Sequence, residues 1–316
     1  MRKALIVGVN DYNFSPLKAC IPDANRMYNI LSKDFDETPN FSCKKIVSSD
    51  VTIDISFLKE SIIDLFSTDC DVALFYFSGH GSEPDKIHKA CLVTQDATAL
   101  NQGVELEFLM QIANDSRAKQ VIIILDCCFS GAAGNIAFLK NLSVLREGVS
   151  ILTSSHESQV SFEDPKGGIF TNIIIEALEG GAADTIGLVT VAGIYSFADK
   201  LLGPWDQRPI FKANISKMLH LRRCKPFISL EILRKLPKYF PDADHVFPLD
   251  PTYEPEAEPK GHLNEEIFNE LQKLNRVSLL IPLDEEHMYF AAINSKACAL
   301  TPLGKYYWTL AKENKL

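Results

Sequence analysis

Residues 121–131 read VIIILDCCFSG, and residues 71–81 read DVALFYFSGHG. Each is an apolar run that breaks off in a polar, glycine-containing turn. Neither shows the alternation of a half-exposed strand, so both predict strands buried on two faces. Outward from them, residues 3–9 (KALIVGV) and 149–153 (VSILT) predict two more such strands. Helical periodicity is expected over 22–33, 53–67 and 105–113, then over about 168–179 and 190–202. Buried strands separated by helices predict an α/β fold, a mostly parallel sheet covered on both faces. In such sheets, ligands and catalytic groups gather at the carboxyl ends of the strands. His80 and Cys128 each stand just past such an end.

That placement suits nucleophilic catalysis by a thiol, which needs a thiolate, a base to form it and donors for an oxyanion. Cys128 precedes Phe129-Ser130-Gly131, so its backbone N–H can face a cleft. His80 lies between Gly79 and Gly81, which let a substrate approach the backbone and leave the imidazole open. The amides of Gly81 and Cys128 are the candidate oxyanion hole. Cys127 points the opposite way along the strand end and is expected in the core.

FYFSGHG (75–81) and LDCCFSG (125–131) resemble the His and Cys motifs of the caspase and metacaspase superfamily. His80 lies about 50 residues before Cys128, the spacing of caspases. Asp126, Cys128, Ser130 and Gly131 fit the metacaspase pattern Asp-x-Cys-x-Ser-Gly, which makes Cys128 the nucleophile and His80 its base. SQVSFEDPKGGIFTNIIIEALEG (158–180) looks like the start of the family's small-subunit region. LVTVAGIYSFADKLL with Gln207-Arg208-Pro209 is similar to its end, so the resemblance covers about residues 1–215. It implies a caspase-like (caspase–hemoglobinase) α/β/α sandwich and a cysteine endopeptidase acting on protein or peptide substrates.

The resemblance also bears on specificity. Asp126 stands where animal caspases carry a Gln that helps hold a substrate Asp. KACIPDA (18–24) resembles the metacaspase Gly-Cys-x-Asn-Asp segment and puts Asp23 at the acidic pocket position, with Ala19 and Pro22 departing from the pattern. In SFEDPKGG (161–168), Glu163 falls where animal caspases have an arginine. Asp23, Asp126 and Glu163 around one pocket imply cleavage after Arg or Lys. The same preference would permit self-cleavage after Lys140 or Arg146. Some metacaspases bind calcium through acids after the His motif. Here only Glu83, Asp85 and Asp96 follow it, so neither metal nor other cofactor is expected.

Composition bounds the rest. The chain has 316 residues, 46% hydrophobic, enough for one large or two modest cores. Its net charge of −9 argues against a long nucleic acid as main partner. The apolar start is too short for a signal peptide, and no apolar run approaches the roughly 20 residues of a membrane span. A cytoplasmic protein follows, with its eight cysteines reduced and no Cys-x-x-Cys pair for zinc. The expected domains are 1–220, a peptidase unit; 221–261, a connector rich in proline and acids; and 262–316, a winged-helix-like module. In that module Asn264 caps a helix facing inward with Ile267, Leu271 and Leu274, a hairpin turns at Asp284-Glu285-Glu286, and Thr301 caps a last helix bearing Leu303, Tyr307 and Leu310. Caspase-like domains joined to small C-terminal modules are familiar in bacterial anti-phage and cell-suicide systems. The resemblance therefore implies a regulated effector, with a small-molecule or protein activator and self-association on activation as further partners. Three rivals remain: an inactive caspase-fold scaffold, a different Cys–His acyl transferase such as a glutaminase, and a nucleic-acid-binding regulator. Retention of both His80 and Cys128 counts against the first. Asp126, standing two residues before Cys128 where a nucleophile elbow has Gly, counts against the second.

Overall fold

The computed structural model describes residues 1–82, 89–127, 145–154, 168–202, 209–257 and 261–316. They form two compact units, Met1–Lys225 and Pro226–Leu316.

The first unit is built on a six-stranded sheet. In chain order its strands and helices are β1 (Arg2–Gly8), α1 (Cys20–Ser32), β2 (Ser42–Val47), α2 (Ile55–Ser67) and β3 (Val72–Ser78). A small antiparallel sheet follows, made of β4 (Gly81–Ser82), β5 (Cys91–Val93) and β6 (Gly103–Glu105). Then come α3 (Leu106–Asn114), β7 (Gln120–Asp126), β8 (Val149–Thr153), α4 (Ile169–Glu176), β9 (Leu188–Val189), α5 (Val191–Leu201), β10 (Ile210–Asn214) and β11 (Arg222–Arg223). The large sheet has the order β10-β8-β7-β3-β1-β2. Five strands run parallel, and β10 joins β8 antiparallel at the edge. This is the mostly parallel α/β sheet expected from the apolar runs.

Two cores result, because successive residues of a strand face opposite sides. On one face Leu5, Phe75, Phe77 and Ile123 pack with Leu58 and Ile62 of α2 and Leu109 of α3. On the other, Ile6, Leu74, Tyr76 and Ile124 pack with Met27 and Leu31 of α1, Ile174 of α4 and Ile194 of α5. Each such fully buried aliphatic or aromatic side chain contributes about 1.5–3 kcal/mol. Gly8 fixes how α1 crosses the sheet. A Cβ there would lie 2.5 Å from the Cys20 carbonyl oxygen and 2.8 Å from the Ala24 Cβ, so only glycine lets the first turn of α1 approach so closely. Gly8, Ser78 and Asp126 stand side by side in register at the carboxyl edge.

The second unit differs from its expectation in three ways. It consists of α6 (Leu230–Arg234), α7 (Leu236–Tyr239), β12 (Val246–Pro248), a 3₁₀ turn (Pro251–Tyr253), α8 (Asn264–Arg276), β13 (Leu280–Leu283), α9 (Met288–Ile293), β14 (Ala297–Leu300) and α10 (Pro302–Lys312). First, the described part of the stretch assigned to an extended connector, up to residue 257, is folded. Phe240 and Leu249 are buried, Trp308 Nε1–H donates to the Phe240 carbonyl at 2.6 Å, and β12 pairs with β14. Three of its prolines occupy positions that tolerate them: the start of α7, an edge strand, and the first residue of the 3₁₀ turn. The boundary therefore lies at 225/226 and not at 220 and 261. Second, no hairpin wing spans 278–293, since α9 separates β13 from β14. Asp284 takes a positive φ of 59° between β13 and α9. Third, the inward faces shift. Phe268, not Ile267, joins Leu271 and Leu274 in the core of α8, and Asn264 is the first helical residue rather than the cap. Thr301 does cap α10, accepting from the Gly304 N–H at 3.1 Å, but Gly304 and Tyr307 are buried where Leu303 is exposed.

Candidate active site

The candidate site lies at the carboxyl edge of the sheet, where β3 and β7 end side by side. The Gly79 N–H donates to the Asp126 carbonyl at 3.3 Å, carrying the pairing one residue beyond β3. Gly79 is required sterically, because a Cβ would stand 2.6 Å from the Tyr12 hydroxyl and 2.9 Å from the Phe77 ring. His80 follows, half-buried.

The imidazole is held on several sides. Its ring packs against Tyr12, with centroids 4.6 Å apart, and against Phe14 at 5.7 Å. The backbone N–H of His80 donates to the Tyr12 hydroxyl at 3.0 Å, and that hydroxyl donates to the Val93 carbonyl at 3.2 Å. The Val93 N–H donates back to the His80 carbonyl at 2.9 Å, closing the circuit. Nε2 lies 2.7 Å from the Ser15 carbonyl oxygen. A carbonyl can only accept, so this contact assigns the proton to Nε2 and leaves the lone pair on Nδ1. Burial holds the Tyr12 phenol above its ordinary range, so it acts as a neutral donor. Tyr12, Phe14 and Ser15 were not singled out from sequence. The available signal was the aromatic alternation in Tyr12-Asn13-Phe14 just past β1.

Gly81 stands in β4, paired with Leu92. Cys128 and Glu163 lie outside the described residues, as do Glu83 and Asp85. Of the acids after the His motif, Asp96 is taken up locally, accepting from Thr94 Oγ1 at 2.6 Å and from the Ile55 N–H at 3.2 Å. Cys127 is 1% exposed within the α2/α3 core. That is the inward orientation expected of it. Its carbonyl accepts from the Ser154 hydroxyl at 3.2 Å.

Asp23 and Asp126 come together although they are far apart in sequence. Asp23, in the first turn of α1, is 1% exposed. It accepts from Arg26 Nη2 at 2.6 Å and from the Gly168 N–H at 3.0 Å. Asp126 Oδ2 accepts from Thr171 Oγ1 at 2.5 Å. Thr171 spends its proton there, so the Tyr76 hydroxyl, 2.6 Å away, donates to Thr171. A Cβ on Gly168 would lie 2.9 Å from Asp126 Oδ2 and 3.0 Å from Asp23 Oδ2, so both carboxylates converge on one glycine. Arg26 is the single cation paired with them among the described residues, leaving one negative charge when both acids are ionised. The i,i+3 spacing of Asp23 and Arg26 was readable in the sequence, whereas nothing there pointed to Thr171.

Burial pushes the Asp126 carboxyl up to about 6, with the Thr171 hydrogen bond opposing the rise and Asp23 adding to it. Burial likewise raises Asp23, against the pull of Arg26 and the Gly168 N–H. The sign for stability follows. Between about pH 4, where an unfolded aspartate titrates, and about pH 6, the folded chain holds a proton on Asp126 that the unfolded chain has released. Stability from this group is full below that window and falls as pH rises through it. Asp126→Asn is expected to flatten this limb in a plot of urea midpoint against pH. An unchanged slope between pH 4 and 6 would show that Asp126 is not the group responsible.

The fold has counterparts among solved structures. A protein of Geobacter sulfurreducens matches with a TM-score of 0.53 at 15% identity, over 72% of this chain and 98% of its own. Caspase-1 of Spodoptera frugiperda matches with a TM-score of 0.51 at 12% identity, over 70% of this chain and 90% of its own. At such identities the likeness is one of fold. No curated protein matches the sequence. The family model described as the caspase domain matches residues 1–219, over two-thirds of the chain, and on that match the protein belongs to the caspase-domain family, peptidase C14.

Proposed function

We propose that the protein is a cysteine endopeptidase in which Cys128 is the nucleophile and His80 the base. The observation that carries the reading is the anchored imidazole of His80, with Nε2 bound to the Ser15 carbonyl and Nδ1 left as the proton acceptor at the carboxyl edge. In this mechanism Nδ1 takes the Cys128 thiol proton and the thiolate attacks the scissile carbonyl carbon. The amides of Gly81 and Cys128 hold the resulting oxyanion. The amine leaves with the proton from His80, and water, deprotonated by the same nitrogen, releases the acid from the thioester.

The substrate class follows from charge. The Asp23–Asp126 pair, with Arg26 offsetting one acid, favours a P1 side chain that is cationic, and Glu163, at the position where animal caspases carry an arginine, is a third acid in the same reading. Arg or Lys is therefore the proposed P1 residue. Of the two internal sites proposed for self-cleavage, Arg146 is taken up in the fold. Its Nη2 donates to the Ala118 carbonyl at 2.7 Å and its backbone N–H to Asn114 Oδ1 at 3.0 Å. Lys140, outside the described residues, is the site that remains in the proposal. A regulated role, in defence or cell death, is part of the same reading, with the second unit controlling activation. Support for it is the separate compact unit Pro226–Leu316.

The test is hydrolysis of a fluorogenic peptide panel by the full chain, before and after thiol alkylation. Cleavage that alkylation abolishes supports the reading. Absence of any thiol-dependent cleavage, with the protein folded, would return it to a binding role.

A further inference from the structure

The opposite edge of the sheet carries a concavity. A cavity of about 640 Å³ opens at the amino ends of the parallel strands. Its lining includes Arg2 at the start of β1, Asp71 just before β3, Lys119 and Gln120 at the start of β7, and Lys217 and His220 from the segment after β10. β7 runs from this cavity to Asp126, a rise of about 20 Å for seven extended residues, so the cavity is distinct from the candidate active site.

Its charges do not cancel. Asp71 is already held by Lys119 Nζ at 2.7 Å and by the Met1 ammonium at 2.6 Å. Glu147 accepts from the Ser216 hydroxyl and keeps its negative charge. Asp34, whose charge also acts on Arg2, is paired with Arg223 at 2.7 Å. Arg2 and Lys217 have no ion pair among the described residues. The Arg2 guanidinium lies 4.7 Å from the Phe41 ring centroid and donates one N–H to Asn40. His220 is half-buried, and burial together with Arg2 lowers its proton affinity. Arg2, Lys119 and Lys217 against Asp71 and Glu147 leave the lining with one net positive charge, within a chain of net charge −9. The segment that carries Lys217 and His220 is also fixed. Gln120, nearly buried, donates its amide to the Lys217 carbonyl and accepts from the Leu219 N–H at 3.1 Å. A glutamine spent in this way on backbone holds the cationic groups in place before any ligand arrives.

We propose that this cavity binds a small molecule carrying two or more linked phosphates. The volume is that of a small-ligand site. A guanidinium with a planar donor fork beside a lysine point charge is the pairing that phosphate oxygens favour. The surrounding negative charge repels a long polyanion but does not bar a compact one from a locally positive pocket. Binding places anionic charge beside His220 and so raises its proton affinity.

Calorimetric titration of the full chain with sodium tripolyphosphate, with sulfate and citrate at matched ionic strength as controls, tests this. One saturable site is expected, selective for tripolyphosphate. Lys217→Glu and Arg2→Gln should each weaken it about tenfold or more. Lys217 is exposed, so its replacement leaves the core intact. The His220 ring resonance, followed by NMR across pH, should titrate higher with tripolyphosphate bound. Absence of saturable binding, equal binding of citrate, binding unchanged by both substitutions, or a His220 titration that does not move would each overturn the proposal.

Discussion

Cys128→Ala and His80→Ala are each expected to lower kcat/KM for peptide cleavage by a factor of about 10⁴ or more. A thiol and its base act as one unit, so losing either forfeits nearly the whole of their joint effect. Urea midpoints should stay close to that of the parent chain for His80→Ala, since the half-buried ring is ringed by contacts that persist without it: the Tyr12 hydroxyl is held by the backbone of His80 and Val93. Cys127→Ala is the informative control. Its side chain is 1% exposed in the core, so its loss should show in stability while cleavage continues. Stopped cleavage in Cys127→Ala together with retained cleavage in Cys128→Ala would move the nucleophile by one residue.

A P1-varied fluorogenic library should show the second large effect. Arg and Lys peptides are expected to be cleaved at least about 10²-fold better than Asp peptides, the weight of roughly 3 kcal/mol for a desolvated charge without a partner. Asp126→Asn should erase most of that advantage, because it removes the carboxylate that Arg26 does not neutralise. Strong turnover of Asp peptides by the parent chain, with Arg and Lys peptides untouched, would refute the assignment. The pH profile gives a separate check. A cationic P1 residue needs ionised Asp126, so KM for an Arg peptide should rise as pH falls through about 6 and should lose that dependence in Asp126→Asn.

How much of this could be read from sequence depended on where each residue sits. Strands β1, β3, β7 and β8 were legible because both their faces are covered, which leaves a near-unbroken apolar run. Strand β2 was not. Its Ser42-Cys43-Lys44-Lys45 start lies at the sheet's edge with both lysines exposed, and only Ile46 and Val47 are buried. The opposite edge strand β10 was hidden for the same reason. His80 was legible from its flanking glycines, but its proton assignment rests on the backbone of Ser15, which no side-chain pattern advertises. Asp23 and Asp126 were named as partners through a family pattern. Their convergence depends on Gly168, brought beside them only by the completed fold. The second unit was misread because its prolines were counted as breakers without regard to position, and three of them stand where a proline costs little.

The order β12-β14-β13 sets a limit on how the chain can be dissected. β14 is the middle strand, and β12, which shields one side of it, lies within the stretch that looked like a tether. A fragment begun at residue 262 would leave the Ala297–Leu300 backbone with an open hydrogen-bonding edge beside apolar surface, the template on which separate molecules add to one another. Aggregation of such a fragment would then report a severed sheet and would say nothing of the intact unit's tendency to self-associate. A fragment begun at residue 226 keeps all three strands together and is the one whose oligomeric state can be interpreted.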